Sequence, residues 1–139
     1  MFFEGAPRLL DADVTIPGLR QGDPNRFVVE AYPGVLARQV IGRRPYKQDM
    51  KKMQTPQQHR ARLDLLTYIL NGGLYDCYGI HVNAPMSLVH DPSADTLDTL
   101  LCAIQAAWAW GQRESSFGAP ASFDLLEGWI ADPSIRARL

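Results

Sequence analysis

Two aspartates near the middle of the chain have the spacing of a divalent-metal site. Asp95 and Asp98 stand three residues apart at the predicted start of a helix, which places both carboxylates on one helix face with Cβ atoms about 5–6 Å apart. Carboxylates held that close repel each other unless a cation or a proton lies between them, and Mg²⁺ prefers such oxygen ligands. Helix capping is the open alternative, because Asp is favoured at an N-cap and acids in the first turn complement the helix dipole.

Glu30 is a third candidate ligand, because it follows a short apolar run. Phe27 to Val29 predict a buried strand at about residues 26–31. A carboxylate at the end of such a strand is costly to bury unless it is paired or binds a cation. Ligands also collect at the carboxyl ends of strands in open α/β sheets. The local pattern leaves a solvent-facing glutamate at a sheet edge as the alternative.

A block of positive charge separates these two acidic positions. Eight of the 14 Lys and Arg residues fall between Arg38 and Arg62, against a single acid, Asp49. These basic residues are Arg38, Arg43, Arg44, Lys47, Lys51, Lys52, Arg60 and Arg62. The chain as a whole has a net charge of −1, so the remainder is acidic. Such a block predicts a surface that meets phosphates, with a solvated connector between helices as the alternative.

The elements that must position these residues are mainly helices. Start and stop signals predict helices over residues 33–41, 56–70 and 95–111. The Pro- and Gly-rich segment 1–25 predicts irregular chain with a helical turn near Pro7. Residues 123–130 predict a final extended segment.

Length and composition limit the class of protein. A chain of 139 residues predicts a single domain over 1–139. An apolar content of 46% with 21% charged residues excludes wholesale disorder. The sequence has only two cysteines and no apolar run long enough to span a membrane. It also has no basic stretch followed by an apolar core, as a signal peptide would. These features favour a soluble, cytoplasmic protein without a membrane partner.

Four strings, taken in order, resemble a family of bacterial and archaeal proteins. The strings are VEAYP at 29–33, IGRRPYK at 41–47, DTLDTLLCA at 95–103 and EGWI at 127–130. They are similar to motifs of the uncharacterised "predicted RNase H-like nucleases", a domain of unknown function. The resemblance covers roughly residues 1–133, and the order and spacing of the motifs strengthen it.

The resemblance implies an incomplete α/β RNase H-like fold. A small sheet would be covered by three main helices, and the N-terminal three-stranded hairpin would be missing. In the wider superfamily, which includes RuvC-like resolvases, carboxylates hold two divalent ions that activate water and stabilise the leaving oxygen of a phosphodiester. By position, Glu30 looks like the fourth-strand carboxylate, and Asp95 and Asp98 look like the helix pair. Mg or Mn is then the implied cofactor, and all three carboxylates are implied catalytic residues.

The chain departs from the family pattern in two places. The Asp of the first strand has no counterpart, because the sequence begins too late to contain the leading hairpin. The sequence is therefore expected to be the C-terminal portion of the family's domain. Thr99 also stands where the family usually has Ala.

Two functions follow as expectations. The first is a Mg- or Mn-dependent nuclease, or its remnant, acting on DNA or RNA, with phosphates bound by Arg43, Arg44, Lys47, Lys51 and Lys52. The second is a non-catalytic nucleic-acid or protein interaction module, inactive because the first-strand Asp is missing. A homo-oligomer is also expected, because a strand at 26–31 without its leading neighbours would have unpaired edges.

Overall fold

The computed structural model describes the backbone of residues 2–136 and the side chains of residues 5–50 and 52–135. The α-helices in this range are α1 (Phe2–Asp11), α2 (Pro33–Ile41), α3 (Pro56–Leu70), α4 (Tyr75–Tyr78), α5 (Asp95–Gly111) and α6 (Pro133–Arg136). The strands are β1 (Val14–Thr15) and β2 (Asp23–Phe27), and short 3₁₀ turns cover Lys51–Met53, Met86–His90 and Arg113–Gly118. The chain is thus mixed α/β, with helices dominant and a small sheet.

The two strands form a parallel pair with an irregular register. Val14 pairs with Asp23 and Thr15 pairs with Phe27, so the ladder is shifted between neighbouring residues of β1. The strand predicted at 26–31 is therefore displaced towards the N-terminus and ends at Phe27. Because β1 contributes only two residues, pairing stops soon after Val28 donates its N–H to the Thr15 carbonyl, 2.9 Å away.

Local signals explain the ends of α2 and α3. Pro33 occupies the first turn of α2, and Gly42 ends that helix at φ +66°, a conformation that glycine adopts without strain. Thr55 caps α3 through a reciprocal pair of hydrogen bonds with Gln58, and Pro56 takes the first helical position. The predicted bounds of both helices are confirmed.

Helix α5 also begins and ends at the predicted residues, Asp95 and Gly111. Its buried stripe includes Leu97, Leu101 and Ile104, which lie at helical spacing. Residues on this stripe are close to fully buried. Every turn of the stripe therefore contributes to the core, which fixes the rotation of α5 and the face on which Asp98 lies.

The hydrophobic core lies between the helices. It is built mainly from α2, α3 and α5, and includes Leu36, Leu65, Leu66, Ile69, Leu97, Leu101 and Ile104. The sheet is peripheral, because four of the five residues of β2 are exposed. The expectation of a sheet centred on 26–31 beneath three helices is therefore corrected: the three helices are present, but they pack chiefly against one another.

The two ends of the described range also differ from expectation. Residues 2–11 form a full helix although Pro7 lies inside it, where only a single helical turn was expected. Residues 123–130 form a turn in which Gly128 donates to the Asp124 carbonyl at 2.7 Å. Only Ile130 of that segment pairs as a strand would, in a parallel bridge with Glu30. Within the described range, no helix has both the length and the apolar character needed to cross a membrane.

Candidate functional site

A groove lined by positive charge runs along α2 and the segment that follows it. It encloses about 460 Å³ and includes Gly34, Arg38, Gly42, Arg43, Arg44, Pro45, Tyr46 and Lys47 in its lining. We call this surface the basic groove. Because α2 ends at Gly42, the chain turns there, and the cations after the turn line the same groove as Arg38.

Two of the four groove cations have no partner within the part of the chain that the structure describes. The side chains of Arg38 and Arg43 are exposed and make no hydrogen bond or ion pair with any described residue. The other two are held by carboxylates: Arg44 by Asp64 at 2.8 Å, and Lys47 by Asp98 at 2.7 Å. None of the described residues that line the groove is acidic, so the groove has a positive potential.

Asp98 joins the basic groove to the first turn of α5. Its Oδ1 accepts a hydrogen bond from the Tyr46 hydroxyl and its Oδ2 accepts one from the Lys47 ammonium, each at 2.7 Å. The Asp98 side chain is only 15% exposed. The hydrogen bond to Asp98 raises the pKa of Lys47, so the ammonium stays charged at neutral pH. Burial, helped by the same carboxylate, raises the pKa of Tyr46, so its hydroxyl remains a donor.

Asp95 is exposed and does not cap the helix. Its Oδ2 lies 3.0 Å from the Ser93 hydroxyl, which also lies 2.6 Å from Oδ1 of Asp91. Oδ2 of Asp91 accepts a hydrogen bond from the backbone N–H of Thr96, in the first turn of α5, at 3.2 Å. Asp91 therefore caps the helix, which was the alternative role for Asp95. The Ser93 hydrogen bond lowers the pKa of Asp91. The Asp-Pro-Ser sequence at 91–93 was the signal for this turn, since Asp commonly bonds the backbone two residues ahead.

Glu30 lies apart from these groups. It is exposed and borders an apolar cavity with Val28, Val29 and Trp129 among its other walls. Its carbonyl accepts a hydrogen bond from the Ala131 N–H at 2.8 Å. The expected position at the end of a buried strand is corrected, because β2 stops three residues earlier.

The predicted metal ligands are brought together only in part. Asp95 and Asp98 share the first turn of α5, but no set of three or more His, Cys, Asp or Glu side chains within the described range is arranged to hold a metal ion. Both oxygens of Asp98 already accept hydrogen bonds, one of them from an internal cation. This donor set does not fit a divalent ion, and the Mg or Mn site stays a prediction.

Lys52 and Arg62, two further cations of the basic block, do not line the basic groove. Lys52 is exposed in the 3₁₀ turn Lys51–Met53. The side chain of Lys51 lies outside the described residues. Arg62, counted in the basic block, is only 4% exposed. It donates to the carbonyls of Tyr46 and Val89 at 2.7 and 2.8 Å, so it fixes the segment after α2 rather than facing a ligand.

A buried carboxylate escaped the sequence analysis. Asp132 is 1% exposed and accepts hydrogen bonds from the side chains of Tyr78 at 2.6 Å, Gln105 at 2.7 Å and Gln39 at 3.0 Å. The backbone N–H and the hydroxyl of Ser134 also donate hydrogen bonds to the Asp132 carboxylate. The sequence Asp-Pro-Ser at 132–134 repeats the pattern at 91–93 and could have indicated this turn. Asp132 joins α2, α4 and α5 to the start of α6.

Comparison of the chain with protein-family models, with curated proteins and with solved structures found no match. The function has to follow from the chemistry of the site. The basic groove contains two guanidinium groups without a partner among the described residues, and guanidinium groups bind phosphate oxygens through paired N–H donors. It also contains the Lys47 ammonium, which is paired with Asp98. This arrangement can bind a polyanion.

Proposed function

We propose that this chain binds the phosphate backbone of a nucleic acid through the basic groove. The observation that carries the proposal is the convergence of Arg38, Arg43, Arg44 and Lys47 on one groove, two of them without a partner among the described residues. In this proposal the three main helices are the helical part of an RNase H-like fold, as the resemblance implies.

Charge distribution supports a polyanion rather than a small acidic ligand. The basic block lies in a chain whose other segments are acidic, so a long anion is attracted to one face and repelled from the rest. The groove is open and long enough to be lined by residues from 34 to 47. Neutralised phosphates release counterions, which makes such binding tolerant of sequence and steeply dependent on salt.

A metal-dependent nuclease is the second candidate, and one observation favours it. Asp98 contacts Lys47 of the basic groove, so a backbone bound there would pass beside the acidic first turn of α5. For a divalent ion to bind, Lys47 would have to leave Asp98, and Glu30 would have to approach it. Phosphate binding needs neither rearrangement, which is why it is the first candidate.

Fluorescence anisotropy with short labelled oligonucleotides tests the proposal. Single- and double-stranded DNA and RNA are titrated at low salt with the wild type and with Arg38→Glu/Arg43→Glu. We expect binding to all classes by the wild type and a loss of about tenfold or more in the variant, since two phosphate contacts become repulsive.

The matched control reverses two charges elsewhere. Arg8→Glu/Arg26→Glu changes the net charge equally at exposed positions outside the basic groove, and should retain binding. No binding by the wild type to any of the four nucleic acids, or an equal loss in both variants, would overturn the proposal. Incubation with Mn²⁺ on the same samples tests the nuclease, because cleavage that is lost in Glu30→Gln would favour the second candidate.

A further inference from the structure

Three exposed rings surround the Gly72–Gly73 turn that follows α3. Tyr68 is 47% exposed and Tyr75 is 50% exposed, and His81 is exposed beside them. The Tyr75 and His81 rings stack with centroids 4.5 Å apart and an interplanar angle of 22°. We call Tyr68, Tyr75 and His81 the ring cluster. Aromatic side chains that are grouped on one exposed surface are typical of binding sites.

Two contacts position the rings of the cluster. A Cβ on Gly73 would overlap Cε1 of Tyr68, so the Tyr68 ring packs directly on the backbone of the turn. The Tyr75 and His81 rings support each other by stacking. Rings that are already packed lose less conformational entropy on binding a ligand.

Two ion pairs that share one carboxylate lead from the basic groove towards Tyr68 of the ring cluster. We call Arg44, Asp64 and Arg60 the ion-pair relay. Arg44 of the groove contacts Asp64 at 2.8 Å, and Arg60 contacts the other oxygen of the same carboxylate at 3.0 Å. The Arg44 hydrogen bond lowers the pKa of Asp64, so the relay keeps its charges at neutral pH. It carries two guanidinium groups for one carboxylate and is therefore net positive.

A depression on α3 extends from Arg60 and Asp64 of this relay to the Tyr68 ring. It encloses about 540 Å³ along α3 and is lined by Arg60, Leu63, Asp64, Thr67, Tyr68, Asn71 and Gly73. Asp64 and Tyr68 are one helical turn apart, or about 6 Å along the axis. The Arg60 cation and the Tyr68 ring thus line the same depression.

We propose that the ring cluster stacks unpaired bases of a single-stranded nucleic acid whose phosphates lie in the basic groove. The inference rests on the proposed function and adds a preference for single strands over duplexes. In a duplex the faces of the bases are covered by their neighbours, whereas an unpaired base offers its face to an aromatic side chain. The negative charge of Asp76, next to Tyr75, favours approach of the backbone from the Arg60 side.

The test separates base contacts from phosphate contacts. Wild-type protein is titrated with a labelled single-stranded oligothymidylate, with an abasic oligomer of equal length and charge, and with a duplex of the same length. We expect the oligothymidylate to bind about tenfold more tightly than the abasic oligomer, because each stacked base adds affinity that phosphates do not provide. It should also bind more tightly than the duplex.

Variants assign the preference to the ring cluster. Tyr68→Leu/Tyr75→Leu should bind the oligothymidylate and the abasic oligomer with nearly equal affinity, so that the ratio of these two affinities falls to near one. The salt dependence of binding should be unchanged. Tyr68→Phe/Tyr75→Phe keeps the rings and should keep the ratio, which guards against a folding defect. Trp110→Leu removes another exposed ring and is the matched control.

The outcomes distinguish this inference from the proposed function. Equal affinity for the oligothymidylate, the abasic oligomer and the duplex, or a ratio that Tyr68→Leu/Tyr75→Leu leaves intact, overturns the role of the ring cluster while phosphate binding stands. A ratio lowered equally by Trp110→Leu also overturns it. Absence of wild-type binding to all three probes overturns both.

Discussion

The Lys47 ammonium donates to Oδ2 of Asp98 at 2.7 Å, across 51 residues of sequence. The residue predicted to contact phosphate is thus bonded to the residue predicted to bind metal. Because each neutralises the other, neither is free for its predicted role while the contact lasts. The contact also connects the segment after α2 to the first turn of α5, and the Tyr46 hydroxyl donates a second hydrogen bond to the same carboxylate.

Asp98→Asn should strengthen nucleic-acid binding. The amide can still accept from Tyr46, but it no longer holds the Lys47 ammonium by charge. A freed Lys47 adds about one phosphate contact, so the salt slope of binding should steepen by about one. Anisotropy titrations at several salt concentrations measure this. Asp95→Asn is the control, because Asp95 makes no hydrogen bond to Lys47 among the described contacts. Weaker binding by Asp98→Asn, seen only with Mn²⁺ present, would instead favour the nuclease.

Asp132→Ala should destabilise the fold by about 3 kcal/mol, because it leaves the buried Tyr78 hydroxyl without its acceptor and Gln105 Nε2 with the Tyr32 carbonyl alone. Urea unfolding followed by circular dichroism measures the change. Asp49→Ala, at an exposed position whose side chain forms no hydrogen bond or ion pair with the described residues, should stay within about 0.5 kcal/mol of wild type. A loss below about 1 kcal/mol for Asp132→Ala would contradict the network described here.

Asp91 should contribute to stability in a pH-dependent manner. The Ser93 hydroxyl and the Thr96 N–H lower the pKa of Asp91 in the folded state. A lowered folded pKa stabilises the protein above the ordinary Asp pKa of about 3.9, and the contribution is lost as pH falls through the folded value. Asp91→Asn should therefore lose less stability than wild type below about pH 4. Thermal unfolding from neutral to acidic pH measures it.

Ser93→Ala provides an intermediate case for Asp91. It removes the hydroxyl donor but keeps the carboxylate and the Thr96 N–H. The stability that Ser93→Ala loses between neutral and acidic pH, which we call the acid limb, should therefore lie between the losses of wild type and Asp91→Asn. Identical acid limbs for wild type and Asp91→Asn would show that the carboxylate does not carry this contribution.

Gly73→Ala should cost about 1–3 kcal/mol, because the new methyl group meets the Tyr68 ring. In a Tyr68→Ala background the same substitution should cost less than about 0.5 kcal/mol, since the obstructing ring is gone. A double-mutant cycle by urea unfolding measures the coupling. Additive effects of the two substitutions would mean that the ring does not pack on the turn.

The sequence predicted the elements whose signals are local. Pro33, the Thr55–Pro56 start and the apolar stripe of α5 each depend on neighbours within a few residues, and all three helices have the predicted bounds. The strand at 26–31 was misplaced because pairing depends on β1, which is too short to extend the ladder. For α1 only one helical turn near Pro7 was predicted, because Pro and Gly residues punctuate segment 1–25, whereas the helix spans Phe2–Asp11.

The sequence indicated which residues belong to the candidate site, but not which of them form ion pairs with one another. The basic block indicated the groove, yet no local pattern indicates that Lys47 meets Asp98. Arg62 could have been recognised as buried, because it lies on the same helical stripe as Leu65 and Ile69. The ring cluster had no sequence signal, since its members lie on three separate elements and meet only around the turn that ends α3.

The salt dependence of single-stranded oligonucleotide binding tests the central claim most directly. For wild-type protein we expect the logarithm of the binding constant to fall linearly with the logarithm of salt concentration. The slope should become shallower by about two in Arg38→Glu/Arg43→Glu, since two phosphate contacts are lost, and should be unchanged in Arg8→Glu/Arg26→Glu. Binding that ignores salt, or a slope that is the same in all three proteins, would contradict phosphate recognition by the basic groove.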